Sequence, residues 1–235
     1  VAFALLVILI PLLANAHWIN IVNNALIAVV GAVGMMVLTG FAGQVSLGHA
    51  AFLAVGAYGA AIFSIELGLP FWLCIPLSGL VAALVGLSVG PFALRLEGLY
   101  LAIVTIGLMF LVEHVLRNGL EVVYGKDYLS VPMHSFFAQA GATGLGDFRA
   151  AWRIGDWVID ADRKLYLVFV VIASVVVWMG KNLQRSNSGR AMMAVRDGEL
   201  ASAALGVHAS HAKMRAFGIS SFLEQTLIMP MIFCL

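Results

Sequence analysis

Apolar stretches long enough to cross a bilayer recur along this chain, and that recurrence constrains its fold more than any other feature. A membrane-spanning helix needs roughly 20 mostly apolar residues, because hydrocarbon offers no water to satisfy an open backbone. Segments of this kind fall near 1–14, 18–39, 45–66, 71–94, 98–117, 165–181 and 213–235, the sixth being short and the seventh irregular. The expectation is an all-α, polytopic integral membrane protein of about 6–7 transmembrane helices, with residues 1–235 forming a single transmembrane domain. Hydrophobic residues make up 62% of the chain and charged ones 11%. A soluble domain carries about 25% charged residues, so a soluble fold is excluded. A net charge of +1 gives no case for a nucleic-acid partner. Cys74 and Cys234 lie in apolar segments without ligand or disulfide spacing. The opening run from Val1 lacks a charged leader region and a cleavage signal, so it reads as a clipped transmembrane helix and not as a signal peptide.

Two hydrophilic stretches set the orientation. Residues 118–164 carry five basic and six acidic side chains, whereas residues 181–215 carry six basic and two acidic ones. An excess of Lys and Arg marks cytoplasmic loops. The second stretch is therefore expected inside and 118–164 as an external loop region, with Gly141–Gly146 as its loop centre. Counting back places the Arg95–Glu97 turn, the Gly40–Gly43 turn and the N-terminus inside as well. Trp152, Trp157 and Tyr166 stand near a helix entry, where aromatic side chains anchor at the interface or meet a partner. Glycines recur at three- and four-residue spacing (Gly31 and Gly34, Gly56 and Gly59, Gly86 and Gly90), which suits close helix packing in lipid.

The polar, small-residue block Ser186–Val207 sits between two apolar segments and is the expected docking surface. Ser188 is placed to cap a helix over Gly189–Asp197, Gly198 to interrupt it, and Gly206 to end a second helix. Leu200, Ala203, Ala204 and Val207 fall on one stripe. Interfacial amphipathic helices are rich in Trp, Phe or Lys. This one is rich in Ala and Gly, which favours insertion into a protein groove.

A second stretch, Gly40–His49 (GFAGQVSLGH), interrupts an apolar region with glycines and polar side chains. It reads either as a plain turn between helices or as a broken helix at membrane depth. Irregular backbone at that depth is tolerated only where it lines a cavity or is buried in protein. Exposed helix ends there can hold a substrate carboxylate. Gln44, Ser46, Gly48 and His49 are the candidate substrate-pathway residues, although a lone His beside a polar turn also suits a hydrogen-bonded structural role.

These segments carry a resemblance. GRAMMAVRDGELASAALGV resembles the cytoplasmic coupling loop of ATP-binding-cassette (ABC) importer permeases, a Glu-Ala-Ala pattern followed by Gly. The match is Glu199, Ala201 and Gly206, with Ser202 in place of the second Ala. With TGFAGQVSLGHAAFLAVGAYGAA (Thr39–Ala61) and LRLEGLYLAIVTIG (Leu94–Gly107), the chain looks like the LivM-type branched-chain amino acid permeases over most of residues 20–223. The resemblance implies the permease subunit of an ATP-driven importer in the bacterial inner membrane. Its partners would be ABC ATP-binding subunits, a sibling permease in a heterodimer, and a periplasmic binding protein that delivers the amino acid. It also implies ATPase coupling through Gly189, Arg190, Arg196, Asp197, Glu199, Ala201 and Gly206. The chain has no GxxxxGK[ST] phosphate loop, so it is expected to be no enzyme, with no metal or cofactor of its own and ATP held by a partner.

The sequence departs from the family at Phe110, where an acidic residue is usual, and at Val123–Asp127, where a Thr-Gly-Gly stretch is usual. The tail 224–235 is atypical, and Pro230 is expected to disturb a helix there. The chief rival is a stand-alone secondary transporter or channel for a small polar solute, in which the coupling block would be incidental. A membrane enzyme would need a paired acid–base constellation. Glu113 and His114 are adjacent and so point to different helix faces.

Overall fold

Long apolar segments satisfy their own backbones by coiling into helices, and helices carry almost all of the described chain. The computed structural model describes residues 15–69, 71–93, 96, 98–124, 152–154, 157–159 and 161–232. Helix α1 spans Ala16–Met35 and passes directly into a π turn over Met36–Phe41. Helices α2 (His49–Glu66), α3 (Phe71–Ala93) and α4 (Leu99–Tyr124) follow. Strands β1 (Trp152–Ile154) and β2 (Trp157–Ile159) form one antiparallel pair, with Trp152 opposite Ile159. Helix α5 (Ala161–Arg185) leads to the short helices α6 (Asn187–Asp197) and α7 (Glu199–Ala204), and α8 (Ala209–Ile232) ends the described chain.

Four stretches of the described residues are long and apolar enough to cross a membrane: His17–Phe41, Leu73–Pro91, Leu99–Leu116 and Arg163–Arg185. His49–Ser64 is apolar but shorter. Helix α8, at 24 residues, has the length but carries Lys213, Arg215, Glu224 and Gln225. Its polar side chains Ser220, Ser221, Glu224 and Gln225 are buried against other helices, so none of them meets lipid. The expected first span, 1–14, lies outside the described residues.

Helix α8 is the hub. It packs most extensively on α3 and also on α1, α2, α5 and α6. Val30, Leu38, Phe52, Leu101, Phe217 and Leu223 belong to the apolar cluster joining these elements. Most of the glycines expected at helix contacts are indeed there, and they accept α8 side chains. A Cβ on Gly34 would meet Glu224, one on Gly56 would meet the Gln225 amide, and one on Gly86 would meet Ser221. Gln225 Nε2 also donates to Ser78 Oγ at 3.1 Å, tying α8 to α3. Helix α4 stands apart, its main contact being α2, and it turns Leu99, Tyr100, Ile103, Phe110 and Leu111 outward. An apolar outer face is what a bilayer rewards.

Several expectations need correction. The candidate span of α4 ends at Leu116, but the helix itself runs on to Tyr124, and the strand pair lies in the segment that follows. Gly141–Gly146 lies outside the described residues. Tyr166, expected at the interface, is 1% exposed, because its place on α5 turns it into the bundle. The α8 helix continues through Pro230 to Ile232, although a proline there costs one backbone hydrogen bond.

Candidate functional site

The Gly40–His49 stretch is neither a simple turn nor a clean break within one helix. The π turn widens the end of α1, and π segments of this kind are frequent at functional sites. Gly43 then adopts a left-handed conformation (φ 66°), and Gln44 N–H donates back to the Leu38 carbonyl at 3.1 Å. The linker to α2 alternates: Gln44, Ser46 and Gly48 are buried, while Val45 and Leu47 are exposed. Its irregular backbone is satisfied locally. Leu47 N–H donates to Thr105 Oγ1 at 3.0 Å, the Thr105 hydroxyl donates to the Ala102 carbonyl at 2.9 Å, and Gly48 N–H donates to Ser46 Oγ at 3.3 Å. Thr105 lies six residues into α4, about 9 Å along its axis at 1.5 Å per residue. The linker therefore reaches beyond the helix end, and Gly48 packs so closely on Thr105 that a Cβ would strike its carbonyl.

Two of the pathway candidates hold buried polar atoms without a hydrogen-bond partner among the described residues. Gln44 is 5% exposed, and neither of its amide atoms has a hydrogen-bond partner among the described residues. His49, 7% exposed, begins α2 with its Nε2 3.4 Å from Glu224 Oε1, near enough for an ion pair but not aligned for a hydrogen bond. The hydrogen-bonded structural role suggested for His49 is therefore not what its geometry shows.

The docking block forms the two short helices that the glycines pointed to. The cap is Ser186, not Ser188: its Oγ accepts from Gly189 N–H at 3.1 Å and donates to the Leu183 carbonyl at 2.7 Å. Both serines suit the local rule, and the end of α5 decides between them. Gly189 is buried, and a Cβ there would strike the Leu183 carbonyl, so only glycine lets α6 fold back this tightly. Helix α7 closes with Gly206 in the left-handed region (φ 81°), Val207 N–H bonded to the Ser202 carbonyl and Gly206 N–H to the Ala203 carbonyl, each at 3.0 Å. That is the glycine-ended stop read from the sequence. Leu200 (90% exposed) and Leu205 (82%) stand out from α7 with exposed Ala201, Ala203 and Ala204 around them, while Val207 turns partly inward. Two bare leucines thus stand on a platform of exposed small residues.

The linker and the docking block meet. Arg196 Nη1 donates to the Gly40 carbonyl at 2.6 Å, across 156 residues of sequence. Its Nε and Nη2 hold Asp197 Oδ1 at 3.0 and 2.9 Å, which aims the guanidinium. A Cβ on Gly43 would lie 2.5 Å from Arg196 Cγ, so that glycine gives the arginine stem its path. Beside this clamp Lys213 Nζ donates to Glu199 Oε2 at 2.8 Å. A pocket of about 330 Å³ lies between them, lined by Gln44, Leu96, Gly98, Arg196, Glu199 and Lys213 among others. Residues 42–44, Leu96, Gly98 and the 186–207 block thus meet at this pocket; Arg95 and Glu97 lie outside the described residues.

The remaining coupling candidates are peripheral to this junction. Arg190 is exposed and bonds Asn187 Oδ1 at 2.5 Å, while Ala201 and Gly206 lie on the open face. Glu113 and His114 are exposed on α4, where His114 contacts Asn118. Thr105 and Lys213 were missed. Each is a lone polar residue in or beside an apolar run, and its role exists only through a partner far away in sequence.

Comparison with known proteins agrees with this geometry. Residues 18–223 match the family described as branched-chain amino acid transport system / permease component. The chain is 34% identical to the high-affinity branched-chain amino acid transport system permease protein LivM of Salmonella typhimurium, covering 93% of this chain and 53% of that protein. The Escherichia coli protein of the same name is 33% identical, over 94% of this chain and 53% of its own length. The chain therefore spans about half the length of these relatives. No solved structure matches it. A match over residues 18–223, carried by apolar helices that suit a bilayer, means that this chain belongs to the branched-chain amino acid transport permease family.

Proposed function

We propose that this chain supplies part of the translocation pathway of an ATP-driven importer for branched-chain or related neutral amino acids. In this reading ATP-binding subunits dock on α6 and α7 at the cytoplasmic face of the inner membrane. A sibling permease completes the pathway, and a periplasmic binding protein delivers the substrate. Gln44, Ser46, Gly48 and His49 line the route, and ATP is held and hydrolysed by the partner.

One observation carries the proposal: the Arg196–Gly40 hydrogen bond, which joins an exposed surface to the π turn at the end of the first described membrane span. An ATPase that moves α6 and α7 would, through Arg196, displace the end of the π turn and with it Gln44. The exposed Leu200 and Leu205 support the docking role, since large apolar side chains left bare gain free energy when a partner buries them.

The test is co-purification in detergent with the sibling permease and candidate ATP-binding subunits. The unaltered chain is expected to retain an ATPase, and the Leu200→Asp/Leu205→Asp pair to lose it while staying monodisperse. Retention by the double variant at the unaltered level, or no ATPase on the unaltered complex, would sink the proposal.

A further inference from the structure

The pocket between linker and docking block has a chemistry of its own. Its volume of about 330 Å³ is at the small end of ligand pockets, room for one small molecule. Its charges balance locally: Arg196 lies against Asp197 and Lys213 against Glu199. A bare anion entering it would compete with Glu199 for Lys213, and a bare cation would take Glu199 from an ammonium whose side chain is only 9% exposed. A zwitterion exchanges one pair for two, its carboxylate to Lys213 and its ammonium to Glu199, and strands neither. Gln44, nine-tenths buried on the pocket wall, has both amide atoms without a hydrogen-bond partner among the described residues. A buried amide in that state calls for a partner. Its N–H₂ can donate to a carboxylate while its carbonyl accepts from an ammonium. Leu101 and Val195, both buried, supply apolar wall for an aliphatic side chain.

We infer that this pocket binds a small aliphatic α-amino acid as its zwitterion. The inference rests on the import reading above, and it identifies the site as the place where transported substrate collects on the docking-block side. Because the ligand would bridge Gln44 of the linker and Glu199 of α7, its occupancy holds the two together and opposes the movement that coupling requires. Accumulated amino acid would slow the ATPase.

The test uses the permease assembled with its sibling and ATP-binding subunits in nanodiscs. Leu96→Cys places a thiol on the pocket wall, and unaltered permease sets the labelling background. Leucine is expected to protect that thiol from maleimide with a half-effect on the order of millimolar, and isocaproate and isoamylamine to be at least about tenfold weaker. Leucine at those concentrations should also slow binding-protein-stimulated ATP hydrolysis. Gln44→Glu should shift the preference toward isoamylamine, a reversal that a purely structural glutamine would not produce. Equal protection by all three compounds, or none by leucine at about a hundred times that concentration, overturns the inference whether or not the Gln44 variant folds. If binding-protein stimulation is present and protection absent, only this inference fails. If stimulation itself is absent, the import reading fails.

Discussion

Replacing Arg196 with alanine should uncouple the docking surface from the linker without detaching the ATPase. Among the described residues the side chain makes one hydrogen bond across the junction, Nη1 to the Gly40 carbonyl at 2.6 Å. A hydrogen bond from a charged donor contributes about 1.5–3 kcal/mol when shielded. Arg196 is 44% exposed, so solvent competes and the discounted value is about 1 kcal/mol. At 1.4 kcal/mol per factor of ten, that corresponds to a roughly fivefold loss in whatever equilibrium the contact biases. The assay is substrate- and binding-protein-stimulated ATP hydrolysis in proteoliposomes, alongside subunit stoichiometry after purification. Arg196→Ala should lower stimulation about fivefold at unchanged stoichiometry, because Leu200 and Leu205 are untouched. Arg196→Lys should recover little, since an ammonium lacks the fork that reaches Asp197 and Gly40 together. Asp197, 68% exposed, should matter far less, and Asp197→Asn should stay within about twofold of the unaltered chain. If Arg196→Ala keeps full stimulation, the clamp carries no signal. If it loses the ATPase subunit altogether, Arg196 is part of the docking face and the reasoning is wrong.

Three further outcomes follow from the packing. Gly48→Ala should lower thermal stability in detergent by an amount equivalent to about 1–3 kcal/mol, because its Cβ strikes the Thr105 carbonyl. Gly107→Ala, two residues along from Thr105 with nothing within 4 Å, should be tolerated. Thr105→Val leaves the Leu47 N–H without its acceptor, a penalty of about 1–3 kcal/mol, and Thr105→Ser should restore most of it; both are read by thermal unfolding. Gly206→Ala places a side chain at φ 81°, which costs about 1–2 kcal/mol, and should weaken ATPase retention through fraying of α7.

The elements were legible wherever a local rule governs them, and the contacts were not. The sequence pointed to Ser188 as the cap of α6, but the Leu183 carbonyl, 2.7 Å from Ser186 Oγ, holds Ser186 in that place instead. Tyr166 has the composition of an interface anchor, yet the rotation of α5 buries it. Helix α8 looked unsuited to a helix beyond Phe222, but Glu224 and Gln225 fit the spaces left by Gly34 and Gly56. Sequence spacing had already marked both glycines as packing positions without saying what they pack.

By itself the sequence determined that this chain suits a bilayer and roughly where its helices run. Each of those follows from interactions that hydrocarbon imposes on one segment at a time: a span must be about 20 residues long, must satisfy its own backbone and must avoid charge. Tertiary structure alone decided that Arg196 reaches Gly40, that Thr105 accepts from Leu47, and that Gln44 faces a pocket beside Glu199 and Lys213. Those partners are separated by 156 and 58 residues, and no periodicity records them. Their pairing depends on how α6 and α8 pack around the end of α1 and how α4 meets the linker that follows it.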